Sequence, residues 1–194
     1  MDRDRPLLVI VSGPPCTGKT TLGRRIAAEF GLPFVNKDGI KETLFDSLGW
    51  SDRAWSRRLG IASFAVLFLV VEAQLAAGRS LVAEGNFDPE WHTPRFLALE
   101  EHYAFTPLQV QLRTEGETLL ARFKARSLSG ERHPGHVEGG QWEEQRATLS
   151  RGRHEPLALG GPVIELDTTD FGAIDYDALF AAVRSTLCPG GDEA

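Results

Sequence analysis

The chain has 194 residues, of which 42% are hydrophobic and 25% are charged, and its formal net charge is −6. This length allows a sizeable core, and we expect residues 1–194 to form a single domain. The acidic balance disfavours a general nucleic-acid binder, because affinity for phosphate backbones needs concentrated Lys and Arg. The two cysteines exclude a disulfide framework and suit a cytoplasmic protein.

Short apolar runs alternate along the chain with segments of helical pattern. The predicted strands are 7–11, 33–36, 80–87, 107–112 and 162–167. The predicted helices are 19–30, 38–48, 52–77, 89–102, 114–128, 142–149 and 174–187. Asp38 and Thr114 are the expected N-caps of two of these helices, and the turn-rich segment 129–140 is expected to be a mobile loop. The alternation predicts an α/β fold with a mostly parallel sheet.

The longest apolar run, 61–77, is a candidate membrane span that we interpret as a buried helix. Ser63, Glu72 and Gln74 interrupt it, and it is shorter than a typical spanning helix. The short apolar run near the N-terminus does not have the pattern of a signal peptide. We therefore expect no association with a membrane.

The segment GPPCTGKT at 13–20 fits the phosphate-binding pattern G-x-x-x-x-G-K-[ST], between a predicted strand and a predicted helix. Its backbone N–H groups and the helix dipole favour a bound phosphate. Lys19 is expected to reach the β- and γ-phosphates, and the Thr20 hydroxyl to ligate Mg²⁺. For Cys16, we favour a packing role over thiol chemistry. The predicted nucleotide-binding residues of this loop are Gly13, Pro14, Pro15, Cys16, Thr17, Gly18, Lys19, Thr20 and Thr21.

Asp38 follows the second predicted strand, where groups in an open parallel sheet face the ligand crevice. A carboxylate there can accept the proton of an attacking hydroxyl during phosphoryl transfer. Helix capping is the plain alternative, and one Asp can serve both roles. The neighbouring Lys37 is a candidate substrate contact or a solvated side chain.

Glu84 ends the third predicted strand and is a candidate ligand of Mg²⁺ or a contact to the attacking group. Asn86, two residues on, is a candidate substrate contact. Arg95, on the next helix, could bind an acidic group of the substrate, and a surface salt bridge is the alternative.

Arg122 and Arg126 are four residues apart and so share one helix face, and Arg132 lies in the loop that follows. Arginines that close over the site would stabilise the charge that develops during phosphoryl transfer. We therefore predict a helical lid at approximately 114–140, with Arg122 and Arg126 in catalysis, Arg122 also on the nucleotide, and Arg132 on the substrate. A solvated helix face is the alternative.

The remaining candidate residues are two histidines and a threonine. His133 and His136 are too isolated to complete a zinc site, so structural or substrate-contact roles are favoured. Thr168, after the fifth predicted strand, is a candidate contact to the nucleotide, and capping of the last helix is its alternative.

Taken as a set, GPPCTGKT, the Asp of NKDGI, LVAEGNF, RFKAR and LDTTD resemble the P-loop kinases around chloramphenicol phosphotransferase, zeta toxins and polynucleotide kinase. The resemblance covers nearly the whole chain. It implies a P-loop NTPase three-layer sandwich with a five-stranded parallel sheet of order 2-3-1-4-5, ATP with Mg²⁺, and phosphorylation of a hydroxyl. It also implies that Asp38 is the base and that Arg122 and Arg126 are lid arginines, whereas Glu84 stands where some relatives have Asp.

The sequence favours a kinase that transfers the γ-phosphoryl group of ATP to a hydroxyl of an antibiotic-, sugar- or nucleoside-like small molecule. Trp50, Trp55 and Phe64 are candidate apolar walls of its acceptor pocket. A nucleotide or polynucleotide 5′-hydroxyl kinase is the second hypothesis, and a non-catalytic ATP-dependent switch is the third. The fold does not name the acceptor, and the oligomeric state stays open.

Overall fold

A computed structural model describes residues 5–137 and 142–187. Its five strands form one all-parallel sheet in the order β2-β3-β1-β4-β5, as predicted. The strands are β1 Leu7–Ser12, β2 Phe34–Asn36, β3 Leu81–Glu84, β4 Thr106–Arg113 and β5 Val163–Asp167. The helices are α1 Lys19–Phe30, α2 Lys37–Leu48, α3 Arg53–Ala76, α4 Pro89–Tyr103, α5 Gly116–Ser129, α6 Trp142–Arg151 and α7 Tyr176–Leu187. Short 3₁₀ turns lie at Pro134–His136 and Phe171–Ala173.

Two apolar cores lie on opposite faces of the sheet. Successive strand residues face opposite sides, so Leu8 and Ile10 of β1 pack toward α3 and α4, whereas Val9 and Val11 pack toward α1 and α7. The central strand β1 is therefore apolar throughout and buried at every residue. Helices on both faces give the three layers of the predicted sandwich.

The local capping differs from the prediction at two helices. Asn36, rather than Asp38, is the N-cap of α2, which places Asp38 in the first turn of that helix. The Glu115 side chain caps α5 by accepting from the backbone N–H groups of Glu117 and Thr118. Thr114 precedes this N-cap, and its hydroxyl is bonded to that of Thr168 at 2.7 Å.

The helix α3 is only partly the buried helix that the apolar run predicts. Leu67 and Val71 are fully buried, but Ile61 and Leu69 are 74% and 65% exposed. By length and composition α3 could cross a membrane, although core helices of water-soluble proteins also meet that criterion. One such helix is weak evidence for a membrane span.

Two sequence predictions extend beyond the described residues. The predicted lid, 114–140, and the predicted mobile loop, 129–140, both include residues 138–140, which lie outside the part that the structure describes. The described part of the predicted mobile loop, up to Val137, packs against α2 through the contacts given below.

Candidate active site

A cleft of about 1100 Å³ opens at the carboxyl edge of the sheet. Parallel pairing explains why its parts meet, since Glu84 of β3 lies beside Val11 of β1 and beside Asn36 of β2. The loop after β1, the first turn of α2 and the end of β3 therefore converge. The predicted site residues that line the cleft are Pro15, Cys16, Gly18, Lys19, Thr20, Thr21, Lys37, Asp38, Glu84, Asn86, Arg122, Arg126 and Arg132.

The phosphate loop, residues 13–20, has a backbone that requires its two glycines. Gly13 has φ +144°, and a Cβ there would lie 2.5 Å from the Leu112 carbonyl oxygen. Gly18 has φ +87° and precedes the first residue of α1, whose N-terminus points into the cleft. The Thr17 hydroxyl closes the turn by donating to the Pro14 carbonyl at 2.9 Å. The loop can thus present backbone N–H groups and the helix dipole to one anion.

Lys19 is held inside this loop, with 9% of its surface exposed. Its ammonium donates to the Pro14 carbonyl at 2.7 Å. Burial lowers its pKa, and this effect exceeds the opposing attraction of Glu84 and Asp38. A phosphate entering the cleft would restore the charge balance of this desolvated ammonium group.

Cys16 lies at φ +66° and packs against the apolar cluster formed by Leu119, Leu120 and Phe123. This contact agrees with the packing role favoured from the sequence. The loop is thereby tied to α5, the predicted lid helix.

Thr20 and Glu84 together offer oxygen ligands. The Thr20 hydroxyl donates to a Glu84 carboxylate oxygen at 3.0 Å, and both side chains line the cleft. Burial raises the pKa of Glu84, while Lys19 opposes that effect. No group of three or more His, Cys, Asp or Glu side chains that could hold a metal lies within 5–137 and 142–187. Mg²⁺ often takes only one or two protein oxygens besides phosphate and water, so the Thr20–Glu84 pair fits this ion.

Asp38, in the first turn of α2, also lines the cleft and lies between two cations. Lys37 donates to one of its carboxylate oxygens at 2.9 Å, and Arg132 donates to the other at 2.8 Å. Burial alone would raise the pKa of Asp38, but Lys37 and Arg132 outweigh it and hold that pKa well below its usual range. Asp38 is therefore a carboxylate at neutral pH, and each oxygen keeps lone-pair capacity for a further donor.

The two lid arginines differ in their contacts. Arg122 donates to the carbonyl oxygens of Thr168 and Thr169, both at 2.8 Å, and its guanidinium lies 3.9 Å from the centre of the Phe171 ring. Arg126 lines the cleft one helical turn further on, 5.6 Å from the centre of the Phe123 ring. Arg122 thus ties α5 to the loop after β5.

Residues 132–136, which we call the latch, dock on α2. The α2 acids Asp38, Glu42 and Asp46 are four residues apart and so lie on one helix face. Arg132 contacts Asp38 at 2.8 Å, His136 contacts Glu42 at 2.9 Å and His133 contacts Asp46 at 3.2 Å. Phe45 fills the space between the histidine rings, with centroid distances of 5.0 Å to His133 and 5.3 Å to His136. The latch places Arg132 over the cleft.

His136 is held neutral by this docking. Burial, followed by the nearby charge of Arg132, lowers its pKa to about 3, while Asp38 opposes the shift. Arg132 lies 3.1 Å from Nδ1 of His136, and Glu42 lies 2.9 Å from Nε2. Both contacts are satisfied when Nε2 carries the only ring proton, because Nδ1 can then accept from Arg132.

We expect acid to destabilise the fold through His136. Between its folded pKa of about 3 and its ordinary value of 6.5, the unfolded chain binds a proton that the folded chain does not, so stability falls as pH falls. As the pH is lowered from 6.5 to 4.5, the free energy of unfolding should fall by about 2 kcal/mol because of His136. Urea unfolding of wild type and His136→Gln across this range should show a shallower pH dependence in the variant.

The matched control for this experiment is His102→Gln, since His102 lies on the exposed end of α4, outside the latch. The pH dependence, rather than absolute stability, is the readout, because the substitution can itself loosen the latch. An unchanged slope in His136→Gln would contradict the assignment.

Several predicted residues lie elsewhere than expected. Arg95 does not line the cleft; its guanidinium lies 4.3 Å from the centre of the Phe68 ring on α3. Thr168 is buried, and its hydroxyl is bonded to Thr114 and to the Arg113 carbonyl, so its side chain faces away from the cleft. Neither placement supports the predicted ligand contact.

Of the three predicted aromatic wall residues, only Phe64 lines the cleft. The Trp55 indole donates to the Gly49 carbonyl at 2.9 Å, and Trp50 packs edge-on against His133. Both tryptophans therefore support the turn before α3 and the latch.

Other cleft residues were missed from the sequence. They are Lys41, Arg53, Ser56, Arg57, Gly60, Ile61, Gly85, Phe123, Glu131, Gln145 and Phe171. The spacing of Arg53, Ser56, Arg57 and Gly60 is that of one helix face, and this signal was available. Phe171 lies against Gly18, where a Cβ would be 2.8 Å from its ring, and nothing local in the sequence indicates this contact.

Comparison with known proteins places this site in a family. A family model described as an AAA domain matches residues 8–151. The chain belongs to this AAA domain family. A solved structure of a provisionally assigned kinase from Chloroflexus aurantiacus J-10-fl is 41% identical, has a TM-score of 0.89, and covers 95% of this chain and 100% of its own. The architecture of the AAA domain chain is thus that of the P-loop kinases.

Two other matches have lower sequence identity or cover only a short part of the chain. The Kti12 protein of Chaetomium thermophilum, solved with ADP-AlF3, is 18% identical with a TM-score of 0.60 over 93% of this chain and 99% of its own, which shows a shared fold alone. A cytidylate kinase of Ignicoccus hospitalis is 39% identical over 44 residues, 23% of this chain. The match spans only 26% of the length of that kinase. The narrower resemblance to chloramphenicol phosphotransferases and zeta toxins gains no support from these matches.

Proposed function

We propose that this AAA domain chain is a kinase that transfers the γ-phosphoryl group of ATP to a hydroxyl of a small molecule. The observation that carries the proposal is the shared cleft, which is lined both by Lys19 of the phosphate loop and by the Asp38 carboxylate. A phosphate cradle alone would suit a switch equally well. A carboxylate in the same cleft as the cradle is what transfer to an alcohol requires.

In the proposed reaction, Asp38 orients the acceptor hydroxyl toward the γ-phosphorus. The acceptor oxygen forms the new P–O bond, the bond to the β,γ-bridging oxygen breaks, and ADP leaves. The hydroxyl proton passes to Asp38. Because the pKa of Asp38 lies well below its usual range, the proton moves late, after the acceptor oxygen has become acidic through its bond to phosphorus. Asp38 then both orients the hydroxyl and takes its proton.

The other cleft residues have roles that follow from their charge. Lys19 would contact the β- and γ-phosphates, and Arg126 of α5 the transferring group, where negative charge is spread over several oxygens. Thr20 and Glu84 would hold Mg²⁺, which offsets phosphate charge when it is bound. Arg122 would fix the position of α5 and Phe171 against the phosphate loop, beside the nucleotide.

An acceptor screen with γ-labelled ATP and Mg²⁺ tests the proposal. The panel contains aminoglycosides, chloramphenicol-like alcohols, nucleosides, sugars and their carboxylated or phosphorylated derivatives, and 5′-hydroxyl oligonucleotides. We expect label on one class of small alcohol, and none with the Asp38→Asn protein. Tight ATP binding with no labelled acceptor would contradict the kinase and favour the nucleotide-dependent switch.

A further inference from the structure

The charge of the cleft is opposite to that of the chain. Among the residues the structure describes, eight Lys and Arg side chains line the cleft against three carboxylates. The whole chain nevertheless has a net charge of −6. The positive charge is therefore concentrated at the site, where it raises the local concentration of anions.

The nucleotide side of the cleft accounts for only part of this charge. Lys19, Arg122 and Arg126 lie on the phosphate loop and α5, around the site proposed for ATP. Lys37 and Arg132 bind the two oxygens of Asp38. The remaining cations are Lys41, Arg53 and Arg57, and all three belong to α2 and α3 on the acceptor side.

The face of α3 that borders the cleft combines charge, a hydroxyl and open space. Arg53, Ser56, Arg57 and Gly60 follow one another at helical spacing, and all four line the cleft. Ser56 is buried, at 4% exposure, and lies directly opposite α2. Gly60 has no side chain, which leaves room beside the cations for a ligand.

Lys41 forms the floor of this region. It is 8% exposed, and its ammonium donates to the Ser56 hydroxyl at 2.9 Å. Its Nζ also lies 3.8 Å from the Cβ position at Gly60, so the glycine lies against the ammonium group. The ammonium group of Lys41 therefore lies where the cleft meets Ser56 and Gly60, within reach of an anion bound there.

His136 borders the same group of cations. After burial and Arg132, the charges of Lys41 and Lys37 also lower its pKa, although Asp38 opposes them. His136 borders the cleft beside these side chains. The acceptor side is thus electropositive at more than one position.

We infer that the acceptor alcohol is itself an anion, and that Lys41, Arg53, Arg57 and the Ser56 hydroxyl form the subsite for its carboxylate or phosphate group. This inference rests on the proposed kinase function and specifies its substrate. Asp38 and Lys41 are three residues apart on α2, so their Cβ atoms lie about 5–6 Å apart and both can reach one small ligand. The acceptor is then a small molecule with both groups within a few bonds, such as a hydroxy acid or a sugar phosphate.

Matched acceptor series test this subsite. One series is glycerol, glycerate and glycerol 3-phosphate, and another is glucose, gluconate and glucose 6-phosphate. Uridine, uridine 5′-monophosphate and a 5′-hydroxyl oligonucleotide form a third. Each compound is measured for phosphoryl transfer from γ-labelled ATP, and for binding by calorimetry to protein saturated with the non-hydrolysable analogue AMP-PNP and Mg²⁺.

We expect an anionic member of a series to bind about 10- to 100-fold more tightly than its neutral alcohol, the range that a charge-assisted contact supplies. Arg57→Gln should remove this preference by raising KM for the anion, with KM for ATP unchanged. The control is Arg58→Gln, since Arg58 is exposed and does not line the cleft. The comparison of carboxylate with phosphate members identifies which anion the subsite prefers.

The two measurements separate the two proposals. Transfer to neutral alcohols at least as fast as to the anions would overturn the anionic subsite and leave the kinase standing. Arg57-dependent binding of anions with no transfer would support the subsite and contradict the kinase. Binding of the oligonucleotide more than tenfold tighter than uridine 5′-monophosphate would overturn the small-molecule assignment. Equal binding of anion and alcohol in every series would overturn the anionic subsite.

Discussion

The Asp38→Asn protein is expected to lose about 10²- to 10⁴-fold in the rate constant for phosphoryl transfer, the range typical of a lost general base. The amide keeps the shape of the side chain but cannot take the hydroxyl proton. KM for ATP should stay within a few-fold, because Asp38 belongs to α2 and not to the phosphate loop. Steady-state kinetics with the acceptor found in the screen give both constants.

Asp38 also anchors the latch, so this prediction needs a control that breaks the latch and keeps the carboxylate. Arg132→Gln removes the 2.8 Å ion pair between Arg132 and Asp38 and leaves the Asp38 carboxylate in place. Asp46→Asn removes a second latch contact, to His133, at a residue outside the cleft lining. The loss should be much larger in Asp38→Asn than in either of these variants. Equal losses in Asp38→Asn and Arg132→Gln would show that Asp38 acts only through the latch.

The sheet and the phosphate loop were predictable because their signals are local. The continuous apolar run of β1 follows from burial on both faces, and the glycines of the loop follow from its backbone. The strand order came from the resemblance to known kinases, since apolar runs alone do not specify which strands are neighbours.

The latch was not predictable, because its contacts join residues far apart in the chain. Arg132 and Asp38 are separated by 94 positions, as are His136 and Glu42. The segment that carries Arg132 is rich in turn residues, which indicate a loop but not the surface on which it docks. The acids of α2 at intervals of four were visible, but such a stripe usually faces solvent.

The structure places Arg95 and Thr114 differently from the prediction for another reason. Local sequence rules do not specify where a side chain points in the folded chain. Arg95 lies on α4, the helix that follows β3, and β3 does end at the cleft. The side chain of Arg95 nevertheless packs on Phe68 rather than entering the cleft. Thr114 has the spacing of a capping box with Glu117. In the structure its hydroxyl is bonded to that of Thr168, in the loop after β5, and Glu115 caps α5 instead.

The Lys19→Met protein is expected to separate catalysis from stability. Methionine keeps most of the aliphatic stem and removes the charge that would contact the β- and γ-phosphates. Turnover of ATP should fall about 10²- to 10³-fold, as when one preorganised electrostatic donor is lost. A filter assay of labelled ADP formation measures this loss.

Without nucleotide, the same substitution should leave the melting temperature unchanged or raise it. Burial lowers the pKa of Lys19, so the folded chain disfavours its charged form, and at neutral pH that form costs folding free energy. ATP should then stabilise wild type more than the variant, because binding to the folded state raises its stability in proportion to affinity. Thermal unfolding with and without ATP measures both effects.

Lys37→Met is the matched control, since Lys37 is also a cleft lysine, bonded to Asp38 rather than to the phosphate loop. We expect Lys37→Met to raise KM for the acceptor. Lys19→Met should instead lower the turnover of ATP. A Lys19→Met protein that turns over ATP at the wild-type rate would contradict the assignment of the phosphate loop. A large fall in its melting temperature without nucleotide would show instead that the bond from Lys19 to the Pro14 carbonyl supports the loop, and that the cost of desolvation is smaller than its pKa indicates.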